Sequence, residues 1–239
     1  MASTTTFLDL TNRTLRRINE VELTRSNFAS AVGIHAYVKD CVNNTVRDIV
    51  VNYSQWPFLW RSATQVLTPG VQSYPLPSNV SVDWDSFSVE RDDAMSPPVS
   101  ESPLTPVDYD FWLQRLRSND MQRDASTGSI PIAVTRPQDE NEFIVSPVPD
   151  RAYAVRFEYW ANPAELVDAA DVCVVPDEYV HIIIEGAAAE VYLFRENIES
   201  HGISSKRYDE KLKDMARSEI RVPDRIRDTR IVQPGYWRR

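Results

Sequence analysis

The chain has 239 residues, 42% of them hydrophobic, with 26 Lys and Arg against 35 Asp and Glu for a net charge of −9. That suffices for one domain or two small ones, while no window approaches the ~18 consecutive apolar residues of a membrane-spanning helix. Only Cys41 and Cys173 are present, which excludes a disulfide framework or a four-cysteine zinc site and suits a reducing cytoplasm; residues 1–6 lack the basic start and apolar middle of a secretory leader.

Residues 4–20 read as a helix, with Phe7, Leu8, Leu15 and Ile18 near helical spacing and Asn12, Arg13, Arg16 and Arg17 on a wet face. A longer helix follows, beginning between Phe28 and Ala36 and running to about Tyr53. Its apolar stripe is Ile34, Val38, Val42, Val46, Ile49 and Tyr53. Trp56-Pro57 ends it, because the residue before proline is pushed out of the α region.

Beyond Trp60 the period changes to two. Residues 62–67 and 71–76, joined by a Pro69-Gly70 turn, predict a hairpin. Residues 82–90 alternate imperfectly as a strand, and the prolines at 97, 98, 103 and 106 predict an extended loop over 95–106. Thr105 then caps a short helix with Pro106 in its first turn and Phe111, Trp112 and Leu116 inward. Residues 130–135, 142–146 and 153–159 read as three further strands.

Helical period returns over residues 177–197, opened by Pro176 and an acidic first turn. The centre of that helix, Gly186-Ala187-Ala188-Ala189, is small enough for another backbone to come close. His201-Gly202 is expected to break the chain before a charged helix over 203–221, which Val222-Pro223 stops. The fold class expected is therefore α+β. Its plan is a four-helix bundle from both ends of the chain (1–60 and 175–221), an inserted antiparallel β-rich domain (61–174) and an extended C-terminal arm (222–239).

Charge is unevenly spread. Residues 204–239 hold 11 Lys and Arg against 6 Asp and Glu, so the acidic surplus lies in the remainder of the chain. An acidic body repels a phosphate backbone, and a basic tail is a hint of a partner. The arm spaces Ile226, Ile231, Tyr236 and Trp237 among Arg225, Arg227, Arg230, Arg238 and Arg239. Tyr, Trp and Arg dominate binding hot spots, so these residues are the candidate docking site. The second cluster is Tyr53, Trp56, Phe58 and Trp60, expected to be the core where helix gives way to strand.

Catalytic motifs are scarce. Six glycines build neither GxGxxG nor a Walker loop, and HExxH, GxSxG and CxxC do not occur. His181 and Glu185 stand one helical turn apart, but two ligands make no metal site. The acidic pairs Asp83/Asp85, Asp92/Asp93, Asp108/Asp110, Asp139/Glu140 and Asp177/Glu178 are what chance gives in so acidic a chain. No catalytic residue, cofactor or metal is therefore assigned.

Phe7-Leu8-Asp9-Leu10 with Leu15-Arg16-Arg17-Ile18-Asn19-Glu20 resembles the start of head-to-tail adaptors of short-tailed bacteriophages, the tail tubular protein A family. So do Trp56-Pro57-Phe58-Leu59-Trp60, then Gly70, Tyr74-Pro75-Leu76-Pro77 and Trp84-Asp85-Ser86-Phe87, and later Val175-Pro176-Asp177-Glu178-Tyr179 leading into residues 182–189. The resemblance implies a structural virion protein at the head–tail interface, assembled in the host cytoplasm. It would form a homo-oligomeric ring, a dodecamer, that joins the portal protein to the tail nozzle and its fibres. DNA would pass through the channel without specific binding, with no membrane involved, and the arm would reach the portal. Two other readings stand beside it. A tail-associated peptidoglycan hydrolase needs a carboxylate pair in a cleft. A DNA-binding regulator needs an uninterrupted basic helix, and Asp209, Glu210 and Asp214 interrupt Lys206, Arg207, Lys211, Lys213 and Arg217.

Overall fold

A computed structural model describes residues 3–53, 55–91, 100–120, 122, 126, 128–137 and 141–219. The fold is α+β and divides into two compact units, one formed by Leu59–Ala164 and the other by the stretches on either side of it.

In the flanking unit, Thr6 caps α1 (Phe7–Arg17) through a capping box with Asp9, two orphan N–H groups thus finding acceptors. The stripe read from the sequence buries Val38, Val42, Val46 and Ile49 on α2 (Ile34–Asn52). A 3₁₀ turn over Asp177–Tyr179 leads into α5 (Val180–Phe194), and α6 (Ile198–Glu219) follows after a short corner. These helices do not close the expected four-helix bundle. Instead α5 is central and touches α1, α2 and α6. Composition explains this: α5 buries Ile182, Ile183, Ala187, Ala188 and Val191 round most of its circumference. The charged α6 buries only Ser204, Leu212, Met215 and Ala216, a stripe too narrow to meet several neighbours. The helix break also lies elsewhere than expected. Glu196 takes the left-handed conformation (φ 56°) at the corner, while Gly202 sits inside α6.

The inserted unit holds two four-stranded sheets, ordered β1-β8-β3-β4 and β2-β7-β6-β5. Their strands are β1 (Trp60–Val66), β2 (Ser73–Pro75), β3 (Val80–Arg91), β4 (Ser100–Pro103), β5 (Thr105–Val107), β6 (Ala133–Thr135), β7 (Glu142–Ser146) and β8 (Ala154–Ala161). All pairs are antiparallel except β5 with β6. Two expectations fail here. The predicted hairpin does not form, because β1 pairs with β8 and β2 with β7, in different sheets. Thr105 and Pro106 belong to strand β5, part of the stretch read as loop, and the helical segment starts after Asp108. That segment runs through α3 (Tyr109–Phe111), a π turn at Trp112–Leu116 and α4 (Arg117–Asp120). Of its three expected inward residues Trp112 is buried, Leu116 is half-buried and Phe111 is exposed.

One core joins both sheets. Phe87 stacks on Phe157 with ring centroids 5.0 Å apart and lies 5.2 Å from Phe143, with Leu67, Tyr74, Val89, Val134, Val145 and Val155 around them. The imperfect alternation of β3 has a cause. Its register to β8 shifts between Asp83 and Ser88, and there the Ser86 hydroxyl donates to the Asp83 carbonyl at 2.6 Å while accepting from the Glu158 N–H at 2.9 Å. A side chain thus stands in for ladder partners at a bulge.

Candidate functional site

The arm carrying Arg225, Ile226, Arg227, Arg230, Ile231, Tyr236, Trp237, Arg238 and Arg239 lies outside the described residues, as do Asp92/Asp93 and Asp139/Glu140. The aromatic cluster can be placed. Trp56 is fully buried, its indole N–H donating to the Ile49 carbonyl at 2.8 Å, with Tyr53 edge-on at 5.3 Å and Phe58 stacked at 5.4 Å. Trp60 departs from the expected core, standing 49% exposed at the start of β1.

His181 and Glu185 are occupied in other ways. The His181 ring meets the Glu178 carbonyl through Nδ1 at 2.9 Å, and burial, with Lys211 nearby, holds its pKa below the ordinary value. Glu185 faces Arg17 at 3.4 Å and Arg207 at 3.8 Å, joining α1, α5 and α6 by charge. Among the described residues no group of three or more His, Cys, Asp or Glu side chains could hold a metal ion, and no helix is long and apolar enough to cross a membrane. Both cysteines are buried, and burial pushes the Cys173 thiol up to about 11 and Cys41 further still.

Three carboxylates have roles the sequence did not reveal. Asp177 accepts from the hydroxyls and backbone N–H groups of Thr4 and Thr5 and from the Ser3 hydroxyl, all at 2.6–3.1 Å. These bonds hold its carboxyl well below the usual range. Asp120, buried in the inserted unit, accepts from the Trp112 indole at 3.2 Å and the Ser146 hydroxyl at 2.7 Å. Glu190 on α5 is hydrogen-bonded to Cys41 and Asn44 of α2, and burial raises its pKa. In each case the partners are far apart in sequence or of ordinary type, so spacing carries no signal.

The surface retains apolar groups. Leu193, Phe194, Ile198 and Ile203 stand exposed about the corner between α5 and α6, Phe194 with its ring on Tyr37 at 4.5 Å. Val21 and Val32 are more than three-quarters exposed and line, with Leu23 and His35, an open cleft of about 240 Å³. Trp60, Val66 and Ile132 are exposed in the inserted unit. Of these, the group about the α5–α6 corner is the one gathered in one place, as the apolar residues of a contact surface are.

The sequence model of the SU10 adaptor protein family matches residues 5–233, and the chain belongs to that family. No curated protein matches it. The family is one of phage adaptors, structural proteins of the virion tail that associate with other head and tail components.

Proposed function

We propose that copies of this chain form a dodecameric ring between the portal and the tail nozzle, with a central channel through which DNA passes without specific binding. The observation that carries this is the family match over nearly the whole chain. Exposed apolar side chains on both units add to it, since a ring uses heterologous contacts in which one face meets a different face of the next copy. The acidic balance outside residues 204–239 suits a conduit for a polyanion.

Labour is divided along the chain in this proposal. The helical parts (1–60 and 175–221) form the body, the insertion (61–174) meets neighbours, nozzle or fibres, and residues 222–239 grip the portal. Within that arm Arg225, Ile226, Arg227, Arg230, Ile231, Tyr236, Trp237, Arg238 and Arg239 supply the contacts, the aromatic and arginine types that anchor interfaces. Assembly takes place in the host cytoplasm. The test is mass measurement and negative-stain imaging of the purified protein, alone and mixed with portal rings. Twelvefold density on the portal, lost when residues 225–239 are deleted while the helical circular dichroism persists, is the expected result. No association with the portal rejects the ring; unchanged association after the deletion removes the arm from it.

A further inference from the structure

Among the described residues four strand edges border the two sheets, and three are blunted. Edge strands β2, β4 and β5 are three or four residues long and carry Pro75, Pro103 and Pro106. Proline lacks the N–H a further strand would need, and short proline-bearing edges are how proteins stop sheets from growing. The fourth edge, β1, differs. It has seven residues, Trp60-Arg61-Ser62-Ala63-Thr64-Gln65-Val66, no proline and one charged side chain.

The hydrogen bonding shows which backbone groups of β1 point outward. Leu67, just past the strand, gives its N–H to the Tyr153 carbonyl on the β8 side. Alternation then turns the odd-numbered groups of β1 toward β8 and the even-numbered ones away from it. The neighbouring side chains agree: Arg61 donates to the Trp60 carbonyl at 2.7 Å and Gln65 to the Val66 carbonyl at 3.0 Å, both even-numbered. On β8 the even-numbered Glu158 N–H is turned to β3. The N–H groups of Ser62, Thr64 and Val66 are therefore aimed off the sheet. The side chains of Trp60, Ser62, Thr64 and Val66 are exposed beside them.

We infer that β1 is an acceptor edge, and that its occupant is residues 225–233 of a second copy, added as a fifth strand. The choice of occupant follows by elimination. A second β1 would give a closed twofold pair, which a ring excludes. The other folded edges of a second copy carry proline. An added strand is then drawn from a stretch other than the named strands. Arg225-Ile226-Arg227-Asp228-Thr229-Arg230-Ile231-Val232-Gln233 has neither Pro nor Gly and is rich in β-branched residues. The ten or so residues between Glu219 and the middle of this stretch can span ~35 Å, enough to reach a neighbour. Strand addition uses the backbone of residues 225–233, so their side chains on one face, and Tyr236-Trp237-Arg238-Arg239 beyond the strand, stay available to the portal. The inference rests on the proposed ring in two ways: copies must meet, and a twofold pair of β1 edges is excluded.

The experiment mixes two full-length preparations. One is ¹⁵N-labelled; the other is unlabelled and carries Ile231→Cys with a nitroxide, the native cysteines being buried. Broadening at the Ser62, Thr64 and Val66 amides is the expected result, at least tenfold weaker at Ser62 and Val66 when the ¹⁵N chain carries Thr64→Pro. Thr64→Pro removes an outward N–H and leaves the β8 ladder in place, which retained hydrogen-exchange protection of the Ala63 and Gln65 amides reports. No broadening overturns the inference, and so does broadening only when label and isotope share one chain. A twelvefold ring on the portal with unbroadened β1 amides rejects the inference and keeps the ring. Broadening without any ring rejects the ring reading alone.

Discussion

The Thr5 hydroxyl donates to the Asp177 carboxylate at 2.6 Å, joining residues 172 apart in the sequence. Around it a β-bridge pairs Thr6 with Val172, and the Cys173 N–H reaches the Thr5 carbonyl at 3.1 Å. The start of the chain is thereby laced to the entry of the 3₁₀ turn that precedes α5.

Asp177 makes this lacing pH-dependent. Its folded pKa is depressed by the hydrogen bonds of Thr4 and Thr5. Its contribution is thus fully present above the unfolded value of about 3.9 and is lost as the pH falls below that toward the folded value. Asp177→Asn is expected to lower the Tm at pH 7, and the gap to the parent protein is expected to close as the pH drops below about 4. A gap independent of pH in thermal melts would assign the effect to packing.

Gly186 lets α5 approach its neighbours. A Cβ there would lie 2.5 Å from the Thr45 methyl and 2.9 Å from the Tyr208 ring. Overpacking of ~1–3 kcal/mol outweighs the up to ~1 kcal/mol that alanine gains in helix propensity. Gly186→Ala is expected to destabilise the protein in urea unfolding, and Thr45→Ser, which removes the methyl, to recover part of the loss.

Trp56 and Trp60 are four positions apart and are expected to behave oppositely. Trp56→Ala empties a buried site and strips the Ile49 carbonyl of its donor, a loss of ~3–5 kcal/mol. Trp60→Ala, on an exposed position, is expected to stay within ~0.5 kcal/mol in the same denaturant titration.

The cysteines are expected to be silent. With its thiol pushed up to about 11, Cys173 is a thiolate in roughly one molecule per thousand at pH 8. Cys41 is raised further by burial and the nearby Glu190. A thiol reagent is expected to titrate neither in the native protein and both after unfolding in guanidinium.

Local periodicity was legible where it decides structure by itself. The stripe of α2 and the strand at Glu142–Ser146 are visible in the sequence because every second or fourth side chain must face a core. Pairing was not. The turn at Pro69-Gly70 suggested that flanking strands meet, yet Tyr74 lies opposite Phe143 and Gln65 opposite Val155. Both partners are far along the chain, and no local pattern selects them. Gly202 misled for a related reason: glycine permits a break without requiring one, whereas Glu196 takes the left-handed turn because α5 and α6 must fold back on each other there. The docking arm is proposed from its residue types alone, while the open edge of β1 emerges only when the prolines on the other edges are seen in their sheets.

The division into a flanking unit and an insertion also imposes an order on synthesis. Every named strand lies within Leu59–Ala164, so that unit can close as soon as it clears the ribosome. Helices α1 and α2 are made first but pack on α5, which is translated after the whole insertion. At ~5–20 residues per second the delay is on the order of ten seconds. For that interval α1 and α2 have each other but lack the central helix against which both pack.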